Sequence, residues 1–339
     1  MEKTPMANLL LCHSEEVRRN YFRPEAVAQL GRLGHLRMND SGQEWSLDAL
    51  IEAARDCEVI VAYRETPADA RLFESLPDLK AYVRCAVDVR NIDLAAASRA
   101  GVLVTHVSGV FVSSVAEWTI AAMIDLGRDL SGSIAAYRAG SVPVASMGAE
   151  LRGATLGVIG YGRISRYLCD LALAFGMRVL VSDPYARVEH VGVQQLDLPE
   201  LLAESDYVVC LAVANAQTEN LMNAAAFSRM KPSAFFVNPS RGNLVDEAAL
   251  LQALNSGTLA GCALDVGRAP DQMPSPALTS HPRVIATPHV AGLTPALDAQ
   301  SLEAIAQTAQ ILMGEIPVGA LNSDSATRMH SSTKAKTLP

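Results

Sequence analysis

Gly157-Val158-Ile159-Gly160-Tyr161-Gly162-Arg163-Ile164-Ser165 is spaced for one kind of chemistry, the capture of a dinucleotide, and a single carboxylate, Asp183, closes the next apolar run. Gly160 permits a tight turn and Gly162 lets the backbone approach a pyrophosphate. The helix that starts there brings unpaired N–H groups and the positive end of its dipole. Ser165 stands where a third glycine is usual, a position that asks only for a small side chain between helix and strand. Asp183, at a strand end, can accept both hydroxyls of an adenosine ribose and would repel a 2′-phosphate, which predicts NAD(H) over NADP(H). Arg187 nearby pulls the other way, and a plain turn before Pro184 is the alternative role for Asp183. Farther on, Arg241 follows directly on an apolar run at 234–237, the strand end that faces the ligand crevice of an open α/β sheet. Asp265 ends another apolar strand, and His289 lies in Thr287-Pro288-His289.

The elements that must position these groups are legible from periodicity. A strand at 155–159, a helix at 163–175 stopped by Gly176 and a strand at 178–182 give the βαβ context that the glycine run requires. From residue 155 onward about six strand-like runs alternate with helices and end at 284–287, as expected of a doubly wound nucleotide domain. Before residue 105, apolar strands at 8–12, 58–62, 80–85 and 102–105 alternate with helical stretches such as 47–55 and 93–100, a small α/β domain of its own. Between the two, 113–137 reads as one long helix whose Ala116, Ile120, Ile124 and Ala135 form an apolar stripe for domain or subunit packing. A helix at 297–313 returns to the first domain and makes it discontinuous. The stretch from 323 to 339 is polar and reads as a mobile tail.

Bulk properties exclude several functions. The 339 residues, 50% of them hydrophobic, suffice for two buried cores, and no apolar run reaches the length of a membrane span. The N-terminus is unlike a signal peptide, which points to the cytosol. A formal net charge of −8 with dispersed Lys and Arg argues against a nucleic-acid surface. The six cysteines sit in apolar patterns without a CxxC pair, so they read as buried thiols, with no metal or disulfide framework.

Taken in series, Asn238-Pro239-Ser240-Arg241-Gly242-Asn243-Leu244-Val245-Asp246, Ala263-Leu264-Asp265-Val266 and Thr287-Pro288-His289 resemble the NxxRGxxVD, ALDV and TPH segments of the D-2-hydroxyacid dehydrogenase family, in order and at similar separations. The resemblance covers nearly the whole chain, including Ser114-Val115-Ala116-Glu117 and Asn91-Ile92-Asp93. It implies an α/β protein in which a doubly wound Rossmann-type nucleotide domain is inserted in a smaller flavodoxin-like α/β substrate domain. The expected boundaries are 1–105 plus 293–325 for the substrate domain, 106–292 for the NAD-binding domain and 326–339 for the tail.

Reduction of a 2-oxo acid needs a cation for the carboxylate and carbonyl, a proton donor for the nascent alkoxide, and a hydride. Arg241, with its planar fork, suits the first task, and His289, which titrates near neutrality, suits the second. NADH supplies the hydride. An acid bonded to the other ring nitrogen of His289 would fix its tautomer and raise its pKa. The resemblance implies that Asp265 meets the nicotinamide carboxamide, although a carboxylate there can also simply begin a turn. It further implies cofactor contacts from Gly160, Tyr161, Gly162, Arg163, Ile164, Asp183, Ala212, Pro239 and Val115.

The chain departs from the family at three places. The acid expected five residues after Asp265 is Pro270, which leaves Asp271 as the expected partner of His289. The glycine-rich substrate loop reads Ala86-Val87-Asp88-Val89-Arg90. Its amides at Val87, Asp88 and Val89, with Arg64, are the expected substrate contacts, provided Asp88 is turned away or paired with Arg64, Arg84 or Arg90. The segment Leu211-Ala212-Val213-Ala214-Asn215 replaces the His-x-Pro-Leu-Thr adenine wall. The expectation is an NAD-dependent oxidoreductase acting between a small 2-hydroxy acid and its 2-oxo acid. D stereochemistry, a site in the cleft between hinged domains and a homodimer packed through the nucleotide domains and long helix follow from the resemblance. An NAD(H)-sensing corepressor-like protein and a formate- or phosphite-type dehydrogenase are the alternatives.

Overall fold

Strands β1 (Asn8–Leu11), β2 (His35–Met38), β3 (Val59–Ala62), β4 (Ala81–Arg84) and β5 (Leu103–His106) form the first sheet of the computed structural model. The structure describes residues 6–330, apart from the side chains of Asp271 and His330. The sheet is wholly parallel, in the order β2-β1-β3-β4-β5. With helices on both faces, β1, β3, β4 and β5 are buried almost throughout, which is why they read as unbroken apolar runs. The edge strand β2 alternates exposed and half-buried residues and carried no such signal. One face packs on the helices Pro24–Leu30 and Asp298–Leu312 through Leu9, Leu11, Leu30, Val83 and Ile305. The other packs on Leu47–Ala53, Ala70–Ser75 and Leu94–Ala100 through Leu50, Leu72, Phe73, Tyr82 and Ala97. Asp93 caps Leu94–Ala100 by accepting the N–H of Ala96 at 2.8 Å.

His13, just past β1, is fully buried between the rings of Phe22 and Tyr63, and neither ring nitrogen has a hydrogen-bond partner. Burial, then the charges of Arg18 and Arg84, push its pKa down to about 3.

The second sheet comprises β6 (Thr155–Ile159), β7 (Arg178–Ser182), β8 (Val193–Gln195), β9 (Tyr207–Cys210), β10 (Phe235–Asn238), β11 (Gly261–Leu264) and β12 (Val284–Ala286). All seven are parallel, in the order β12-β11-β10-β9-β6-β7-β8. The strand count is one above the sequence expectation. The chain winds outward to β7 on one side of β6 and returns to β9 on the other, so the carboxyl ends of β6 and β9 flank the switch point where a dinucleotide binds in this fold. The described residues divide into two compact units, one running to Val110 and resuming at Pro295, the other spanning Phe111–Thr294.

Two expectations need correction. The long helix is two, Val112–Arg128 and Leu130–Arg138, because Asp129 adopts a left-handed conformation (φ 49°) that an aspartate tolerates. Ala116 and Ile120 are buried in the second unit, in the core that includes Leu168 and Cys169 of the helix Arg163–Ala174, while Ala135 is exposed. The polar stretch after residue 323 is not a free tail as far as His330. Arg328 donates to the carbonyls of Leu76 and Leu79, its N–H bonds to Gly101, and Ala326 and Met329 are buried. Residues 331–339 lie outside the described residues. All six cysteines are free and buried.

Candidate active site

At the end of β6, Gly160 has φ 91°, and a Cβ there would lie 2.8 Å from the backbone of Ala212, so the turn admits only glycine. Gly162 caps the helix Arg163–Ala174 without any side-chain cap, and a Cβ on it would meet no protein atom within 4 Å. The first-turn N–H groups of this helix, including those of Arg163 and Ile164, therefore suit a pyrophosphate, and the residues present fit a dinucleotide. Ser165 is buried against the sheet, as its small side chain requires, and Tyr161 is buried beneath the guanidinium of Arg166 at 4.4 Å.

Asp183 is more than a strand-end acid. One carboxylate oxygen accepts the N–H of Tyr161 in the glycine turn at 2.7 Å, and the other accepts those of Tyr185 and Ala186 at 2.8 and 2.9 Å. Burial alone would raise its pKa, but these three donors outweigh it and hold the carboxyl below its ordinary value. Arg187 pairs with Glu189 at 3.4 Å in solvent. Just past β9, the Ala212 carbonyl accepts the hydroxyl of Ser240 at 3.1 Å.

Three neighbouring strands carry the candidate reacting residues at their carboxyl ends. After β10, the buried Asn238 accepts the N–H of Ser240 at 3.1 Å and donates to the carbonyl of Arg241 at 2.9 Å, which clamps the turn through buried Pro239. Arg241 itself donates from Nη1 to the Ser240 carbonyl. After β11, Asp265 is buried, accepting from the Thr287 hydroxyl (2.6 Å) and the N–H groups of Val290 (2.8 Å) and Ala291 (2.8 Å). After β12, the N–H of His289 bonds to the carbonyls of Asp265 and Thr287, and its φ of 55° is a left-handed conformation uncommon outside glycine. Asp265 thus holds the turn that carries His289. Val115, at the start of the helix Val112–Arg128, would touch a Cβ on Gly292 in the same turn, and Ser114 bonds to Thr294 at 2.8 Å. Asp271 belongs to the short 3₁₀ turn Pro270–Gln272, but its side chain lies outside the described residues.

In the first unit, Asp88 is paired with Arg90 at 2.7 Å, the one of its three candidate arginines in the same loop. Val87 is 39% exposed, and Val89 packs partly against the core. Arg64 lies over the rings of Tyr21 and Tyr63 and 3.7 Å from Glu65. Arg84 is fully buried and bonds to the carbonyls of Tyr63 and Thr66 and to Asn91, so it shapes the turn that presents Arg64. Sequence reasoning named neither Arg84 nor Asn238 in these roles. The signal for Asn238 was available, an amide two residues before the residue whose N–H it accepts, whereas nothing local marks Arg84.

A model of the NAD binding domain of D-isomer specific 2-hydroxyacid dehydrogenases matches residues 120–291. Over 288 residues the chain is 32% identical to a glyoxylate reductase of Korarchaeum cryptofilum, which takes in 82% of this chain and 87% of that protein. It is 35% identical over 253 residues to a D-3-phosphoglycerate dehydrogenase of Archaeoglobus fulgidus, covering 74% of this chain but 48% of that longer protein. Among solved structures, the apo form of D-lactate dehydrogenase from Escherichia coli matches with a TM-score of 0.81 at 26% identity, over 93% of this chain and 99% of that one. Sequence, sheet order and the strand-end groups agree, and the chain belongs to the D-isomer specific 2-hydroxyacid dehydrogenase family of NAD-dependent oxidoreductases.

Proposed function

We propose that this NAD-dependent oxidoreductase works on a small 2-oxo acid of about the size of glyoxylate, with Arg241 and His289 as its reacting side chains. Bound NADH supplies the hydride. The observation that carries the assignment is the delivery of Arg241, Asp265 and His289 from the carboxyl ends of the adjacent parallel strands β10, β11 and β12. Arg241 grips the substrate carboxylate and polarises the carbonyl with its fork of donors. His289 gives its proton to the oxygen as the hydride arrives and takes one in the reverse direction. Asp265 keeps the His289 turn in its left-handed form through backbone and hydroxyl bonds, and Asp271 orients the imidazole. Asp183 would accept the ribose hydroxyls of NAD(H) and repel a 2′-phosphate, which favours NAD(H) over NADP(H).

The chain works as a homodimer in the cytosol. Helix Leu130–Arg138 buries none of its residues and exposes Leu130, Ile134 and Tyr137, followed by Val142, Val144 and Met147, an apolar surface that a second copy would cover. Six buried thiols suit a reducing compartment. No helix among the described residues is long and apolar enough to cross a membrane.

The test is NADH oxidation with glyoxylate, pyruvate and hydroxypyruvate. His289→Ala should lower turnover by about 10²- to 10⁴-fold with NADH affinity nearly unchanged. Arg241→Lys should raise KM and lower kcat together. NADH binding without turnover of any 2-oxo acid would mark a sensor instead, and near-normal turnover in either variant would remove that residue from the chemistry.

A further inference from the structure

We infer that Arg268 is a positioning residue for Arg241, an inference that rests on the substrate-binding role proposed for Arg241. The turn after Arg241 is the 3₁₀ segment Gly242–Leu244. Its upstream side is fixed by the Asn238 clamp. Its downstream side has two supports. Gly242 lies so close to the loop after β11 that a Cβ would stand 2.0 Å from the Gly267 carbonyl oxygen. The next residue of that loop, Arg268, reaches back over the turn and donates from Nε to the Val245 carbonyl at 3.1 Å and from Nη2 to the Asn243 carbonyl at 3.0 Å. The same Nη2 contacts Asn220 Oδ1 at 2.6 Å and Glu219 Oε1 at 2.8 Å, and the Arg268 N–H is held by Glu247 at 2.9 Å.

One guanidinium therefore ties three separate segments together: the turn behind Arg241, the loop at 219–220 and its own loop. The first two are also sewn to each other, because the N–H of Asn220 bonds to Asn243 O, that of Met222 to Leu244 O and that of Asp246 to Met222 O. The Arg268 loop continues into the turn Pro270–Gln272 that carries Asp271, folded back by bonds from Gly267 N to Gln272 O and from Ala269 N to Met273 O. Arg268 thus sets the seat of Arg241 and the start of the Asp271 turn from a single point. The guanidinium shape is needed because carbonyls and carboxylate converge on it from different directions, which a lysine ammonium cannot span with a fixed fork.

The test uses the full-length protein with Arg268→Met and Arg268→Lys, and Glu219→Gln as a milder variant should the methionine form fail to fold. Amide hydrogen exchange is measured over residues 239–246 and 157–166. Affinity for oxamate is measured in the presence of NADH, with NADH affinity and the kinetics of glyoxylate reduction alongside. Arg268→Met should speed exchange over 239–246 and leave 157–166 unchanged. It should weaken oxamate about 10- to 100-fold, the scale of an ångström-sized misplacement, while NADH affinity changes by no more than about twofold. Arg268→Lys should fall in between, and Glu219→Gln should shift the same readouts less. Unchanged exchange and oxamate affinity in the Arg268 variants would overturn the inference, as would NADH affinity falling in step with oxamate affinity. An Arg241→Ala control separates the two claims. If it binds oxamate normally, the role of Arg241 fails, whereas loss there with retention in Arg268→Met refutes the Arg268 inference alone.

Discussion

Replacing Gly242 with alanine tests how tightly Arg241, the proposed substrate-binding arginine, is seated. The added methyl would meet the Gly267 carbonyl oxygen at 2.0 Å and its carbon at 2.2 Å, both backbone atoms. Even a tight Cβ contact needs 3.0 Å, so the two backbones must part by about 1 Å. Gly267 has little room for movement, because a Cβ on it would in turn lie 2.5 Å from Pro274 Cα and 2.7 Å from Met273 O. Overpacking of this kind costs about 1–3 kcal/mol, and for a unit of this size each kcal/mol lowers Tm by about 2–4 °C. The displacement falls on the residue next to Arg241, and an ångström of misplacement can cost about 10²-fold in rate. The glycine turn at 160–164 is untouched, so NADH affinity should hold. Thermal melting, NADH titration and kcat/KM for glyoxylate together measure this. Wild-type Tm and kcat/KM in Gly242→Ala would refute the reasoning, and so would a loss of NADH affinity equal to the loss of turnover.

Asp183→Ser should narrow the preference for NADH over NADPH, if Asp183 reads the ribose as proposed, and also lower Tm, because the acid accepts three backbone N–H bonds; unchanged discrimination in cofactor titrations would show that another residue reads the 2′ position. His13→Leu should make the protein less sensitive to acid. The folded-state pKa of about 3 lies below the ordinary 6.5, so the unfolded chain takes the proton first, and stability is full above about pH 6.5 and falls by about 1.4 kcal/mol per unit as pH drops toward 3. Denaturant melts from pH 7 to pH 4 should show a shallower slope in the variant, and equal slopes would mean that His13 is not held neutral. Asp271→Asn should move the pH–rate profile of 2-oxo acid reduction to lower pH if Asp271 stabilises the charged imidazole, and an unmoved profile would assign His289 a different partner.

What could be read in advance was what is local. The glycine turn, its strand and helix, and Asp183 occupy one short stretch, and their geometry follows from residue types within a few positions of each other. Arg241 was legible because it follows the largely buried apolar strand β10, and His289 because its Thr287-Pro288-His289 segment resembles that of the family. The apolar period ran straight through Asp129, where the helix breaks, since a left-handed aspartate leaves no mark in hydrophobicity. The partner of Asp88 was one of three arginines by charge alone, and the loop's own geometry chose Arg90. The packing of residues 323–330 depends on Arg328 reaching carbonyls about 250 positions earlier in the chain. Arg268 likewise meets its partners 21 to 49 residues away, a convergence that only the folded sheet produces.

The burial of every cysteine makes the protein a quiet background for thiol chemistry. Burial raises the Cys57 thiol to about 11 and those of Cys85, Cys169 and Cys210 to about 12, and drives Cys12 and Cys262 higher still. Thiolate is the reactive form, so at neutral pH these six should resist alkylation while the fold is intact. A cysteine introduced at solvent-facing Val191 in the second unit, and another at Val318 in the first, would react ahead of them all. Spin labels carried there would read the distance between the two units with and without NADH, and no native cysteine would first have to be removed.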